Sequence, residues 1–380
     1  MRSSYFDFFG EVLLEVRGEG GRSTSQFREM YPYFESDVSE SEPDIVVERT
    51  TATPDPDIVL GDPTDYYGWT GDLFVVRNGS NFMAVEPGWE HIYVSPGWEP
   101  FYATYPIEFA IRSRLVERNE ALIHASGVEL DGETTVFPAW RGAGKTNTLL
   151  SLLRAGGHFL ADDRLWVGAD GDARGYPLGV NLQPYNVESF PEIELEYDGL
   201  VDRAKPEIDQ YIKEHFASGT SIPEKGVRFL ARQVLESNER NFTHIDSLFP
   251  DAEYTETSSI DNVILLRAAP NSETVSLEPA SPETMLPALR AINNYEWNHR
   301  LGEYFNAYDS LVPGASMADR LHDVIEREEE ILVDLLRQKN TYVAEIPRNK
   351  DWGESGIDRD VVETIRSLEG RHDREVAYHD

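Results

Sequence analysis

The sequence predicts an α/β protein: a mixed β-sheet with flanking helices that carries a phosphate-binding loop, preceded by a β-rich N-terminal domain. Three observations predict it. A strand, a glycine-rich loop ending in Lys145-Thr146 and an apolar helix follow one another across residues 133–153. Short alternating apolar runs separated by turn residues fill the first 105 positions. Beyond them, apolar residues recur at helical spacing. A length of 380 residues suits two domains. The expected division is an N-terminal β-rich part over 1–105, a P-loop core over 106–350 with a helical insertion at about 200–240, and a C-terminal helix and polar tail over 351–380.

In the first part, residues 73–76 and 82–85 read as strands around Asn78-Gly79-Ser80. Pro87-Gly88-Trp89-Glu90 and Pro96-Gly97-Trp98-Glu99 frame a further strand over 91–95. These paired turns are read as turn chemistry, with a ligand role for the two tryptophans as the alternative. Residues 36–65, rich in Asp, Glu, Ser and Pro, read as a solvated loop. From Pro106, the positions Ile107, Ala110, Ile111, Leu115 and Val116 predict an amphipathic helix that opens the second domain.

A strand over 121–130, Asp131-Gly132, and a second strand over 133–137 predict a hairpin, because Asp-Gly supplies the left-handed backbone of a tight turn. The loop and helix follow, and Gly156-Gly157 closes that helix as a C-cap. Residues 206–240 read as the charged helical insertion. The sheet is expected to resume over 242–249 and 260–266. Helices are expected over 282–294 and 315–336, the latter with Leu321, Ile325, Leu332 and Leu336 on its apolar face. A last strand over 341–346 and a last helix over 361–368 complete the chain.

Composition narrows the function. Acidic residues number 69 against 34 basic ones, a formal charge of −35 with no basic block, so a nucleic acid partner is excluded. The only lysines are Lys145, Lys205, Lys213, Lys225, Lys339 and Lys350. A dispersed acidic surface with so little Lys resembles proteins of salt-accumulating halophiles, and a halophilic archaeal origin is the expectation. There is no Cys, so thiolate nucleophiles and Cys-ligated metals are excluded. Without a signal-like or membrane-spanning apolar run, a cytoplasmic location and no membrane span are expected. Monomer and homo-oligomer both remain open.

The loop Ala139-Trp140-Arg141-Gly142-Ala143-Gly144-Lys145-Thr146, continuing into Asn147, departs from G-x-x-x-x-G-K-[ST] only at Ala139. Backbone N–H groups of such a turn and of the helix start converge on one point and cradle phosphates. Lys145 would reach the outer phosphates of ATP, and the Thr146 hydroxyl would ligate Mg²⁺. Ala139 is tolerable if its backbone keeps negative φ. Shortly after, Asp162-Asp163 ends an apolar run at the point where a strand should meet the phosphates. One acid can take a proton from a hydroxyl while its neighbour holds metal or water; a solvated turn is the alternative.

The order His124, a hairpin, a loop ending Gly-Lys-Thr, then Leu160-Ala161-Asp162-Asp163 resembles HPr kinase/phosphorylase and its relatives, whose core is of the phosphoenolpyruvate carboxykinase type. The resemblance spans residues 121 to about 182. It implies that Asp162 is the base toward a serine hydroxyl, Asp163 its partner and a metal ligand, and His124 a phosphate-side or orienting group. It also places a further magnesium ligand at Asp172, before Arg174-Gly175. The residues alone read 168–172 as a hairpin tip. The stretch that recognises the HPr carrier protein is not apparent, so HPr itself is not the expected acceptor. The resulting expectation is an ATP-dependent kinase that phosphorylates a hydroxyl on a protein, peptide or small metabolite. The alternative is a nucleotide-binding regulatory or scaffold module without phosphotransfer.

Overall fold

A computed structural model describes residues 3–18, 22–36, 41–176, 178–182, 184–191, 193, 242–348 and 351–376. Nine strands form the N-terminal sheet: β1 (Ser3–Phe8), β2 (Val12–Arg17), β3 (Glu35–Ser36), β4 (Ile45–Arg49), β5 (Ile58–Gly61), β6 (Asp65–Trp69), β7 (Phe74–Asn78), β8 (Asn81–Val85) and β9 (His91–Val94). Their order is β3-β1-β2-β4-β9-β8-β7-β6-β5, with parallel pairing only at β2–β4 and β4–β9. Helix α1 (Arg22–Met30) lies between β2 and β3 in the chain.

The expected loop over 36–65 therefore contains a central strand. Ile45, Val46 and Val47 of β4 are buried between β2 and β9. Three apolar residues between acidic neighbours are too few to show a period in the sequence. Strands β7, β8 and β9 fall where the alternation placed them. Trp89 and Trp98 are both buried, and Trp89 packs edge-on against Phe305 at 4.7 Å, so the paired turns serve the core.

Helix α2 (Pro100–Leu115) begins six residues before the expected start at Pro106. It is apolar on several sides instead of amphipathic, because it is enclosed: even Glu108 and Arg112 are buried. Its Ala103, Tyr105, Ile107, Phe109, Ile111 and Leu115 share one core with the N-terminal sheet, so residue 105 falls inside a helix that this sheet covers.

The expected strand over 121–130 is two strands. β10 (Glu120–Ile123) and β11 (Ala125–Leu130) belong to different sheets and part at His124. β11 and β12 (Glu133–Pro138) form the hairpin, with Asp131 at φ 54° and Gly132 at φ 89° in its turn. Helix α3 (Lys145–Arg154) follows the loop and ends at Gly156 with φ 99°, where Gly157 N–H donates to the Leu152 carbonyl. Next come β13 (His158–Ala161), β14 (Arg164–Gly168), β15 (Asp172–Tyr176), β16 (Val180–Asn181), α4 (Pro184–Ser189), β17 (Phe242–Thr243) and α5 (Ile245–Leu248). The insertion over 206–240 lies outside the described residues.

The chain continues with β18 (Thr257–Ser259), β19 (Asn262–Ala269), β20 (Ser276–Pro279) and α6 (Pro282–Asn293). A π-helical turn, Asn294–Asn298, joins α6 to α7 (His299–Leu311), an element the sequence reading did not anticipate. Then follow α8 (Met317–Gln338), β21 (Asn340–Pro347), α9 (Trp352–Ser355) and α10 (Ile357–Val376). The second large sheet runs β13-β11-β12-β19-β21-β20, parallel at β12–β19 and β19–β21 and antiparallel elsewhere. A small antiparallel sheet, β10-β14-β15-β18, stands beside it, and β16–β17 form a two-stranded pair. The architecture is mixed α/β with several sheets and a β-rich N-terminal region. No helix among the described residues is long and apolar enough to cross a membrane.

Candidate functional site

The site grows from the end of β12. Ala139 is fully buried and extends the parallel pairing by one bridge to Leu266 of β19. It is absent from the residues with positive φ, so the departure from glycine at this position costs no strain. The loop then turns: Ala143 N–H donates to the Trp140 carbonyl at 3.0 Å, with Gly142 at φ 79°. Gly144, at φ 99°, caps α3 without a side chain, and a Cβ there would meet the Trp352 ring at 2.9 Å. No side chain caps this helix, so its first N–H groups face outward as a partly positive end.

Lys145, the first residue of α3, places Nζ 2.9 Å from Asp163 Oδ1 and 3.0 Å from His124 Nε2. Asp163 Oδ2 accepts from Arg164 Nη1 at 2.7 Å. Burial would raise the Asp163 carboxyl, but Lys145 and Arg164 outweigh it and hold the group well below the usual carboxylate range. Burial, followed by the Lys145 charge, pushes His124 down to about 3, so its imidazole is neutral. The break between β10 and β11 puts His124 at this junction, where its backbone N–H donates to Asn293 Oδ1.

Asp162 behaves in the opposite way. Burial, reinforced by the Asp163 charge and opposed by Lys145, raises it to about 6. Its Oδ2 lies 3.4 Å from the Thr146 hydroxyl, and its Oδ1 is buried with no hydrogen-bond partner. Two adjacent carboxylates thus differ in proton affinity because one meets cations and the other a hydroxyl and apolar burial. That divergence is the arrangement by which neighbouring acids take different roles.

Behind the site, Arg164 pairs with Glu108 of α2 at 2.8 Å, both buried. Arg112, one turn further along α2, makes a two-pronged pair with Glu328 of α8 at 2.7 and 2.6 Å. Both guanidinium groups lie over the Trp297 ring, at 5.7 and 5.8 Å. Glu296, in the π-helical turn, stands 3.7 Å from His124 Nε2, and burial together with Asp163 raises its pKa.

Of the residues named from sequence, the structure brings together Lys145, Thr146, Asp162, Asp163 and His124. Gly142 and Gly144 shape the loop, and Ala143 is buried beneath it. Trp140 and Arg141 are exposed on its outer side. Asn147 turns its side chain away, toward Asn186 at 2.6 Å and Ser189 at 3.2 Å, leaving only its backbone for phosphate. Asp172 is not at the site. It is exposed at the β14–β15 turn, opposite Gly168, four residue rises or about 13 Å along the strand from Arg164. Among the described residues no group of three or more His, Asp or Glu is placed to hold a metal.

The sequence reading missed Glu108, Arg164, Tyr295, Glu296 and Trp297. Arg164 adjoins the Asp pair and could have been included. The others arrive from helices distant in sequence, and no local pattern marks them.

No family model matches this chain, and no curated protein matches it.

Proposed function

We propose that this chain is an ATP-dependent phosphotransferase of the HPr kinase/phosphorylase-like type, moving the γ-phosphate to a hydroxyl acceptor. One observation carries the reading: a Gly-Lys-Thr loop at the start of an uncapped helix, with Asp162, raised to about 6, beside the Thr146 hydroxyl. The loop amides and Lys145 would receive the phosphates, with Lys145 turning from Asp163 to the outer ones. Asp162, poised near neutrality, would take the acceptor proton as the new O–P bond forms and the bond from Pγ to the bridging oxygen breaks, releasing ADP. His124, neutral against Lys145, would orient that amine. Catalysis here is positioning and electrostatics.

The donor set fits Mg²⁺: one hydroxyl and one carboxylate oxygen suit a hard cation that keeps waters and takes phosphate oxygens. Thr146 and Asp163, whose Oδ1 is released when Lys145 moves, would hold it, and it would neutralise charge on the phosphates.

Incubation with γ-labelled ATP and cell extract in molar KCl tests the proposal. Wild type should label an acceptor, Lys145→Ala should lose ATP binding, and Asp162→Asn should bind ATP and fail to transfer label. Full transfer by Asp162→Asn would refute the base assignment. ATP binding without any labelled acceptor would leave a binding module.

A further inference from the structure

Five large apolar side chains are exposed among the described residues: Ile58, Val59 and Leu60 on edge strand β5, and the pair Trp140 and Tyr295. The pair sits at the candidate site. Trp140 is 44% exposed and Tyr295 51% exposed, and their rings touch with centroids 4.9 Å apart at 35°. Neither belongs to a hydrophobic core cluster. On so polar and acidic a surface, two touching aromatics beside a phosphate loop invite a ligand that covers them.

Their position tells which ligand. The lysine of such a loop reaches the outer phosphates, so Lys145 marks the terminal end of a bound nucleotide. Tyr295 directly precedes Glu296, which stands 3.7 Å from His124 Nε2, itself 3.0 Å from Lys145 Nζ. Trp140 is on the loop itself and packs against Tyr295 at a tilt of 35°. The pair is thus tied, through the π-helical turn and the loop, to the Lys145 end of the site, the end an acceptor must reach.

We infer that Trp140 and Tyr295 are the acceptor platform, and that the acceptor is a neutral ring polyol, chemically a sugar. This rests on the phosphotransferase reading. Ring centroids 4.9 Å apart leave no room for a third ring between them, since two contacts at van der Waals distance need about 7 Å. The acceptor therefore stacks on the outer face, presenting C–H groups to the aromatic rings. Its hydroxyls find a carboxylate acceptor in the part-exposed Glu296, and the hydroxyl that reacts must reach inward to Asp162. An anionic acceptor is disfavoured by the carboxylates close to it. In the transfer, the sugar O–H gives its proton to Asp162 as its oxygen bonds to Pγ, and ADP departs with the bridging oxygen.

The test uses the full chain in molar KCl, with Tyr295→Ala, Trp140→Ala and the conservative Trp140→Phe. Calorimetric binding of tripolyphosphate checks the phosphate loop alone; if wild type does not bind it, the phosphotransferase reading itself falls. With that binding intact, γ-labelled ATP is supplied with the dialysable, uncharged fraction of a cell extract and with a mixture of neutral monosaccharides and inositols. The expected product is a labelled small phosphoester, reduced tenfold or more by Tyr295→Ala and Trp140→Ala and restored by Trp140→Phe, while tripolyphosphate affinity in Tyr295→Ala stays within twofold. Label appearing on protein or peptide only, no labelled small product, or full transfer by Tyr295→Ala would overturn it. So would a loss of ATP affinity in Tyr295→Ala with tripolyphosphate binding kept, which would assign the platform to the nucleobase.

Discussion

Replacing Asp162 with Asn should make the protein more stable at alkaline pH while removing the proposed base. Asp162 is 6% exposed, and its carboxyl is raised from 3.8 to about 6, chiefly by burial. At 1.36 kcal/mol per pH unit, that rise corresponds to about 3 kcal/mol between the protonated and ionised forms. A carboxyl raised in the folded state stabilises fully below its unfolded value near 3.8, and that contribution is lost as pH climbs through about 6. At pH 8 the wild-type protein therefore carries a buried charge that asparagine lacks.

Urea denaturation of both proteins in molar KCl at pH 4 and pH 8 measures this. The expected gain for Asp162→Asn is up to ~3 kcal/mol at pH 8 and near zero at pH 4. The other acidic groups titrate in both proteins and cancel in the difference. A difference that does not change between the two pH values would refute the reasoning, because it would mean that Asp162 is not strained by ionisation. Stability gained where activity is lost is the usual mark of a residue kept for function.

Gly144→Ala should destabilise the chain by ~1–3 kcal/mol and abolish nucleotide binding, because it combines φ 99° with a contact at 2.9 Å to the buried Trp352 ring; denaturation and ATP calorimetry check it. Glu328→Gln should cost ~3–5 kcal/mol by leaving Arg112 buried and uncompensated, whereas the double replacement Arg112→Met with Glu328→Leu should recover most of that loss in the same denaturation assay. Melting followed by circular dichroism should show the midpoint rising steeply with KCl, and a protein equally stable in dilute buffer would contradict the halophilic reading of the −35 charge.

What could be read from sequence was what short-range chemistry decides. The β12–loop–α3–β13 succession follows from turn glycines, a helix period and an apolar run, all local, and each element lies where it was expected. The Asp131-Gly132 hairpin and the apolar face of α8 are local in the same sense. Strand β4 was hidden because its three apolar residues carry no period, and its burial comes from β2 and β9. Glu108 and Arg112 looked like the solvated positions of an amphipathic helix, since charges are rarely buried unless paired. Their partners, Arg164 and Glu328, lie 56 and 216 residues further along the chain. Asp172 lies away from the loop, at the hairpin tip that the residues alone suggested. The spacing of a motif says nothing about which end of a hairpin its carboxylate occupies.

The charges around the loop also bear on how a polyphosphate can enter. Near Lys145 and Arg164 stand Asp162, Asp163, Glu108 and Glu296, so the carboxylates outnumber the cations before any phosphate arrives. His124, pushed down to about 3, adds no charge at neutral pH. ATP without a divalent cation should therefore bind far more weakly than the magnesium complex, and the loss in chelator should be larger for ATP than for ADP. Protonating Asp162 removes one of the opposing charges. Metal-free ATP should then bind more tightly as pH falls from 8 through about 6, with Asp162 contributing at most tenfold per pH unit. Calorimetric titrations in chelator at pH 5 and pH 8 decide it, with Asp162→Asn measured alongside because the terminal phosphate of ATP itself titrates at about pH 6. The same pH response in wild type and Asp162→Asn would mean that Asp162 does not face the phosphates, and its proposed role as base would fall with that result.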